Sequence, residues 1–396
     1  MDSFVTVKLA ECVDLLAGFA FKSQHFTDKP EDIPLVKGEN VSQGCILWDI
    51  SKRWSAADWP NLGKYHLRPG DVVVAMDRPW VPAGLKWAYI RSNDPKALLV
   101  QRCSRLRSNT PQLDQDFLRF VIGGPGFESY VIPITTGVNV PHISGKQILD
   151  YEFVLPPLPI QRRVVGILSA YDELIENSQR RIRILESMAR ALYREWFVHF
   201  RFPGHESVPR VPSSLGEIPK GWEVGRLDDV VVLQRGFDLP KSARVEGDIP
   251  IYAATGVTGF HNEAKVKAPG VVTGRSGTIG EVIYVQEDFW PLNTALWAKE
   301  FPNSEPLYAY YLLASLDLKQ FNSGAAVPTL NRNDVHGLEV MVPPRELQAR
   351  FQEVGGEMLR QTRTHELQIQ NLRCTRDLLL PRLLSGQIDV ETLDHA

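Results

Sequence analysis

The sequence predicts an α+β chain. Two mostly β domains are separated by a pair of long helices that form an antiparallel intramolecular coiled coil, the whole built as a pseudo-two-fold internal repeat. Three observations carry this prediction: motifs that recur in the same order in both halves, short β-branched runs divided by Gly and Pro, and two long segments with heptad apolar spacing.

The repeat is explicit. Residues 137–161 read GVNVPHISGKQILDYEFVLPPLPIQ and residues 324–348 read GAAVPTLNRNDVHGLEVMVPPRELQ. Val140-Pro141 matches Val327-Pro328, Pro156-Pro157 matches Pro343-Pro344 and Gln161 matches Gln348, all at an offset of 187 residues (156 to 343). Upstream, KLAECVDLLAGF (8–19) pairs with RLDDVVVLQRGF (226–237), DIPL (32–35) with DIPI (248–251), and Pro69-Gly70 with Pro269-Gly270. Drifting offsets there are what loops of unequal length produce.

Each half opens on a β-rich region. DVVVAM (71–76), LLVQRCSRL (98–106), GVVTG (270–274) and GEVIYV (280–285) read as strands bounded by turn residues. DQDFLRFVI (114–122) and PLYAYYLLASL (306–316) read as helices within those regions. A Pro-Pro pair then starts a long helix, since proline is tolerated in a first turn. In the first, Leu168, Ile175, Ile182, Ala189 and Trp196 fall seven apart, with Tyr171, Leu185 and Leu192 interleaved and Ser178 interrupting. The second carries Met358, Ile369, Leu372, Leu379 and Leu383, interrupted by His365 and Arg376. Two such stripes can bury each other; the alternative is that each helix packs on its own domain.

Composition bounds the function. Lys and Arg number 44 against 47 Asp and Glu, with 43% hydrophobic residues, which excludes a disordered chain and a strongly basic nucleic-acid packager. No apolar run spans a bilayer, and the opening MDSFVTVKLAE lacks a signal-peptide pattern. Cys12, Cys45, Cys103 and Cys374 form no CxxC pair and read as reduced thiols of a cytoplasmic protein.

Catalytic patterns are absent from the sequence. GRSGTIG (274–280) lacks the lysine of a phosphate loop and precedes a strand, so it reads as a glycine-rich turn. Neither an [ND]PP[YFW] tetrapeptide, HExxH nor GxSxG occurs, and no cofactor or metal site is expected on this chain. What remains are polar and basic residues near turns, of the types that donate to phosphates or grip base edges. The candidates for DNA contact are Arg53, Arg78, Lys86 and Arg102 in the first half. In the second they are Gln234, Arg235, Lys267, Arg275, Thr278, Asn331 and Arg332. Taken singly, each reads equally as a solvated surface residue.

Several segments together resemble the specificity subunit of type I restriction–modification enzymes. These are IPKGW (218–222) leading into EVGRLDDV, LPPLPIQRRVVGILSAYDELIENSQRRIRILE (155–186), LYREWFVHF (192–200) and LLLPRLLSGQIDV (378–390). The resemblance implies target-recognition domains at 1–155 and 216–342. It implies a central helical spacer at 156–202, a linker at 203–215, a distal helical spacer at 343–390 and a tail at 391–396. It further implies a non-catalytic chain that binds double-stranded DNA and docks two methyltransferase subunits, with motor–nuclease subunits in the full complex. S-adenosylmethionine, and ATP with Mg, would belong to those partners. Arg162, Arg163, Arg180, Arg181, Arg183 and Arg194 are docking candidates, or solvated flanks of the coiled coil. Two other readings stay open: the recognition subunit of a type IIB-like enzyme, and a coiled-coil scaffold with two β ligand-binding domains. Charge is uneven along the chain, residues 203–343 holding 12 basic and 17 acidic groups. Weak non-specific DNA binding by the isolated chain is therefore expected.

Overall fold

The computed structural model describes residues 4–137 and 140–390; the tail at 391–396, and Val138 and Asn139 of the repeated segment, lie outside the described residues. The chain divides into two compact units, 1–176 with 370–396, and 177–369. The division falls inside both long helices. Each unit therefore combines one β domain with a stretch of each helix.

In the first unit the main sheet has five strands, Val13–Ala17, Cys103–Ser108, Val72–Ala75, Trp87–Tyr89 and Gln43–Gly44, in that spatial order. In the second unit the order Val232–Arg235, Ala295–Glu300, Gly270–Gly274 and Val282–Val285 repeats the first four of these. Val72–Ala75 is buried at every position, as a central strand covered on both faces must be. A two-stranded antiparallel ribbon ties the start of each domain to its end: Val5–Lys8 pairs with Glu152–Leu155, and Glu223–Arg226 with Glu339–Val342. A one-turn helix follows each first strand, with Glu11 accepting from the Lys8 amide at 2.8 Å and Asp229 from the Arg226 amide at 2.8 Å. Each acidic third residue thereby satisfies the amide that opens its helix, one half of a capping box.

Gly18-Phe19 and Gly236-Phe237, paired by the repeat, occupy equivalent places. Phe19 bridges Val100 in parallel and Phe237 bridges Leu292. A Cβ on Gly18 would strike the Val100 backbone, and one on Gly236 the Leu292 carbonyl, so both positions exclude a side chain.

The long helices run Leu158–Tyr193 and Arg345–Leu384, each beginning just after its Pro-Pro pair. In the first unit Val164 and Leu168 share a core with Leu380 and Leu383, and Arg376 pairs with Asp172 at 2.7 Å. In the second, Tyr193 and Phe197 pack their rings on Phe351 at 6.1 and 5.1 Å. In the first unit the two helical stretches thus run in opposite directions. Leu168, Ile175, Ala189 and Trp196 of the anticipated stripe are buried, as is Ser178. In the distal helix Leu359, Thr362, Ile369, Leu380 and Leu383 are buried, while Met358, Leu372 and Leu379 are only half-buried. The shift arises because this helix also packs on its β domain, where Leu307 donates its amide to Gln352 at 2.9 Å.

One glutamine fastens each helix to its domain. Gln161 accepts from the Asp114 amide at 2.8 Å and donates to the carbonyls of Gln112 and Pro156 at 2.8 and 2.7 Å. Gln348 accepts from Glu305 at 2.9 Å and donates to Asn303 and Pro343 at 3.1 and 2.7 Å. Both side chains are fully buried with every amide group paired.

The segment 203–215 differs from a plain linker. Arg210–Ser213 forms a hairpin with Gly216–Pro219, so pairing crosses the expected boundary. Among the described residues no helix is long and apolar enough to cross a membrane.

Candidate nucleic-acid interface

The central strand of each main sheet ends in a loop held by the same three backbone bonds. In the first unit, Met76 donates to the Arg102 carbonyl at 2.8 Å, Arg78 to Pro141 at 2.6 Å, and Ile143 to Met76 at 2.9 Å. In the second, Arg275 donates to Thr294 at 2.9 Å, Gly277 to Pro328 at 2.9 Å, and Leu330 to Arg275 at 2.8 Å. Ile143 and Leu330 are fully buried and pin the returning segment. The repeated Val-Pro dipeptides therefore mark a junction of three loops where each β domain presents polar side chains.

In the first unit Asp77 organises the junction. Its carboxylate pairs with Arg102 at 2.6 Å and with His142 Nδ1 at 2.7 Å. Partial burial pushes this carboxyl up, but the hydrogen bonds from His142 and Arg102 outweigh that and hold it below the usual range. Lys86 donates to the Gly38 carbonyl, and burial lowers its ammonium pKa. Arg53 lies outside the junction and donates to the carbonyls of Pro30 and Asp32 at 3.0 and 2.7 Å. Arg78 is exposed, with φ of 45°, and its guanidinium has no hydrogen-bond or ion-pair partner among the described residues. Arg102 is also left-handed, with φ of 67°. Such a backbone costs a non-glycine residue roughly 1–2 kcal/mol. Gly277 holds the place of Arg78 in the second unit, at φ of 94°.

In the second unit Asp238 is the organising group. Arg235 pairs with it at 3.0 Å, Asn293 donates to it, and Arg275 Nε donates to the Asn293 carbonyl at 2.8 Å. Arg235, Arg275 and Asn293 thus form one connected cluster. Gln234 is half-buried in its strand opposite Trp297. Thr278 is half-buried on the glycine-rich loop and lines a shallow recess with Gly277, Lys319, Asn322 and Pro328. Asn331 caps a short helix by accepting from the Asn333 amide at 3.1 Å, and Arg332 reaches the Leu233 carbonyl at 3.5 Å. His336 accepts from the Leu233 amide at 3.0 Å, and burial lowers its pKa. Lys267 pairs with Asp288 at 2.6 Å beside the Val266–Phe289 bridge and has no bond into the Asp238 cluster.

Residue type and turn position single out the basic residues but not the acids that hold them. Asp77, Asp238 and His142 direct the guanidinium groups, yet a lone Asp near a turn has no distinctive spacing. The repeated Val-Pro was the available signal. Among the described residues no group of three His, Cys, Asp or Glu is placed to hold a metal ion, and the four cysteines are free. Arg, Asn and Thr on rigidly held loops suit phosphate oxygens and groove-facing base edges.

Comparisons with known proteins show which family the chain resembles. The family described as the type I restriction modification DNA specificity domain matches residues 1–187 and 219–368. The MjaIX type I restriction enzyme specificity subunit of Methanocaldococcus jannaschii is 26% identical over 302 residues, covering 70% of each chain. The EcoBI specificity subunit of Escherichia coli is 21% identical over 384 residues, covering 88% of this chain and 77% of that one. The solved structure of the type I restriction-modification S subunit from M. genitalium aligns with a TM-score of 0.64 at 16% identity. The alignment covers 97% of this chain and 96% of that one, a similarity of fold.

Proposed function

The chain belongs to the type I restriction–modification DNA specificity family, and from that membership we propose how its two units divide the work. The chain serves DNA sequence specificity. Each unit reads one half of a bipartite site, and the halves differ because the two junctions differ in side chains. The observation that carries this reading is the recurrence of one three-loop junction on one sheet order, filled with Asp77, Arg78, Arg102 and His142 in one unit and Arg235, Asp238, Arg275 and Asn293 in the other.

The long helices set the spacing between half-sites and dock two methyltransferase subunits. Leu174, Ile184, Met188, Leu367 and Leu378 on their outer positions are exposed and offer apolar contacts to such a subunit. Among the arginines considered for docking, Arg163 instead donates to the Val390 carbonyl at 3.0 Å, and Arg162 lies 3.8 Å from Asp114. Methyl transfer, with S-adenosylmethionine, belongs to those partners, and ATP-driven translocation and cleavage to motor–nuclease subunits.

The test is a methylation footprint of the complex after inserting one heptad into both helices. Seven residues add about 10 Å, the rise of roughly three base pairs. The expected result is a longer gap with both half-sites retained. A gap of unchanged length would overturn the ruler.

A further inference from the structure

Eight of the residues singled out for DNA contact are basic, and seven of them are already engaged within the protein. Arg53, Lys86 and Arg332 donate to backbone carbonyls. Arg102, Arg235 and Lys267 pair with Asp77, Asp238 and Asp288. Arg275 turns its Nε to the Asn293 carbonyl. Arg78 is the exception, with a guanidinium that meets no partner among the described residues.

Its backbone makes the exception sharper. Arg78 stands at φ of 45° on the bond to Pro141, where the other unit has Gly277 at φ of 94° on the equivalent bond to Pro328. Glycine occupies that conformation without strain, so the fold itself asks for no side chain there. A strained, unpaired cation at a position the repeat fills with glycine points to a task outside the protein's own packing.

Resting on the reading that each unit reads a half-site, we propose that Arg78 is the base-reading residue of the first unit and takes a guanine through its O6 and N7. The planar guanidinium matches those two acceptors in a bidentate pair, and guanine alone offers both in the major groove. Asp77 engages the neighbouring Arg102 guanidinium and His142 ring at 2.6 and 2.7 Å, whereas Arg78 keeps its whole donor fork free among the described residues. At the corresponding place the second unit presents Gly277, Thr278 and Ser276, which gives that half-site no arginine-read guanine at the same register.

The test uses the full chain in complex with its methyltransferase subunits and a randomised duplex DNA pool, comparing wild type with Arg78→Gly and Arg78→Lys. Wild type should enrich a bipartite motif containing a required G·C pair in one half. Arg78→Gly should relax that one position roughly 5- to 150-fold, leave the other half-site unchanged, and melt no lower than wild type because glycine removes the strain. Arg78→Lys, with one ammonium in place of the fork, should relax the same position. A uniform loss of affinity with the motif intact would identify a phosphate contact and overturn the proposal, as would an unchanged motif in Arg78→Gly. Failure of wild type to enrich any motif would instead sink the underlying half-site reading.

Discussion

Replacing Gln161 with leucine keeps the side-chain volume close to native while deleting one acceptor and two donors from a fully buried place. The Asp114 amide and the carbonyls of Gln112 and Pro156 then lose partners that sat at 2.7–2.8 Å. Each buried hydrogen bond contributes about 1 kcal/mol net, and a partner left unpaired adds to the loss, so the variant should lose about 3 kcal/mol. The damage is local, because Asp114 also caps the helix Gln115–Gly123 by accepting from the Asp116 and Phe117 amides. Amide hydrogen exchange on the full chain reads this directly. Exchange at Asp114 and in the following turn should rise by about two orders of magnitude, while Glu305 in the other unit keeps its protection. Gln348→Leu should mirror the result, exposing Glu305 and sparing Asp114. Native protection at Asp114 in Gln161→Leu would refute the clamp, and equal loss in both units would refute their local independence.

Other perturbations follow from the same geometry. His336 is held neutral with a lowered pKa, so the unfolded chain binds the extra proton first as pH falls below about 6.5. Its stability contribution is complete above that pH and declines below it; thermal melts from pH 7.5 to 5 should fall less steeply in His336→Gln, which retains an acceptor for the Leu233 amide. A slope unchanged by the substitution would remove His336 from the account. Gly18→Ala and Gly236→Ala each force a methyl into a strand backbone and should cost about 2 kcal/mol in thermal unfolding. Gly166→Ala on the central helix meets open space and should stabilise by about 0.8 kcal/mol, so a loss there comparable to the other two would contradict the close-approach explanation.

Much of the architecture was legible because the chain states it twice. Matched Pro-Pro, Val-Pro and Gly-Phe dipeptides locate the helix starts, the junction and the strand crossings without reference to pairing. The strand Gln43–Gly44 escaped notice because it is two residues long and pairs with Trp87–Ala88, a register no local pattern encodes. The hairpin of Arg210–Ser213 with Gly216–Pro219 was hidden for a related reason: its prolines and serines resemble a loop, and the pairing of Val211 with Ile218 depends on packing. At the junctions, side-chain type identified donors but could not reveal which were engaged. Asp77 and Asp238 decide that, and their effect is a matter of distances between loops far apart in the chain.

The glutamine clamps carry no formal charge, and that distinguishes them from the arginine and lysine contacts the junctions could make with DNA. Phosphate contacts weaken steeply as counterions accumulate. A buried neutral amide is unaffected by ionic atmosphere or by pH across the physiological range. Salt therefore leaves the seating of each helix on its own β domain unchanged, whatever it does to charged contacts made at the loops.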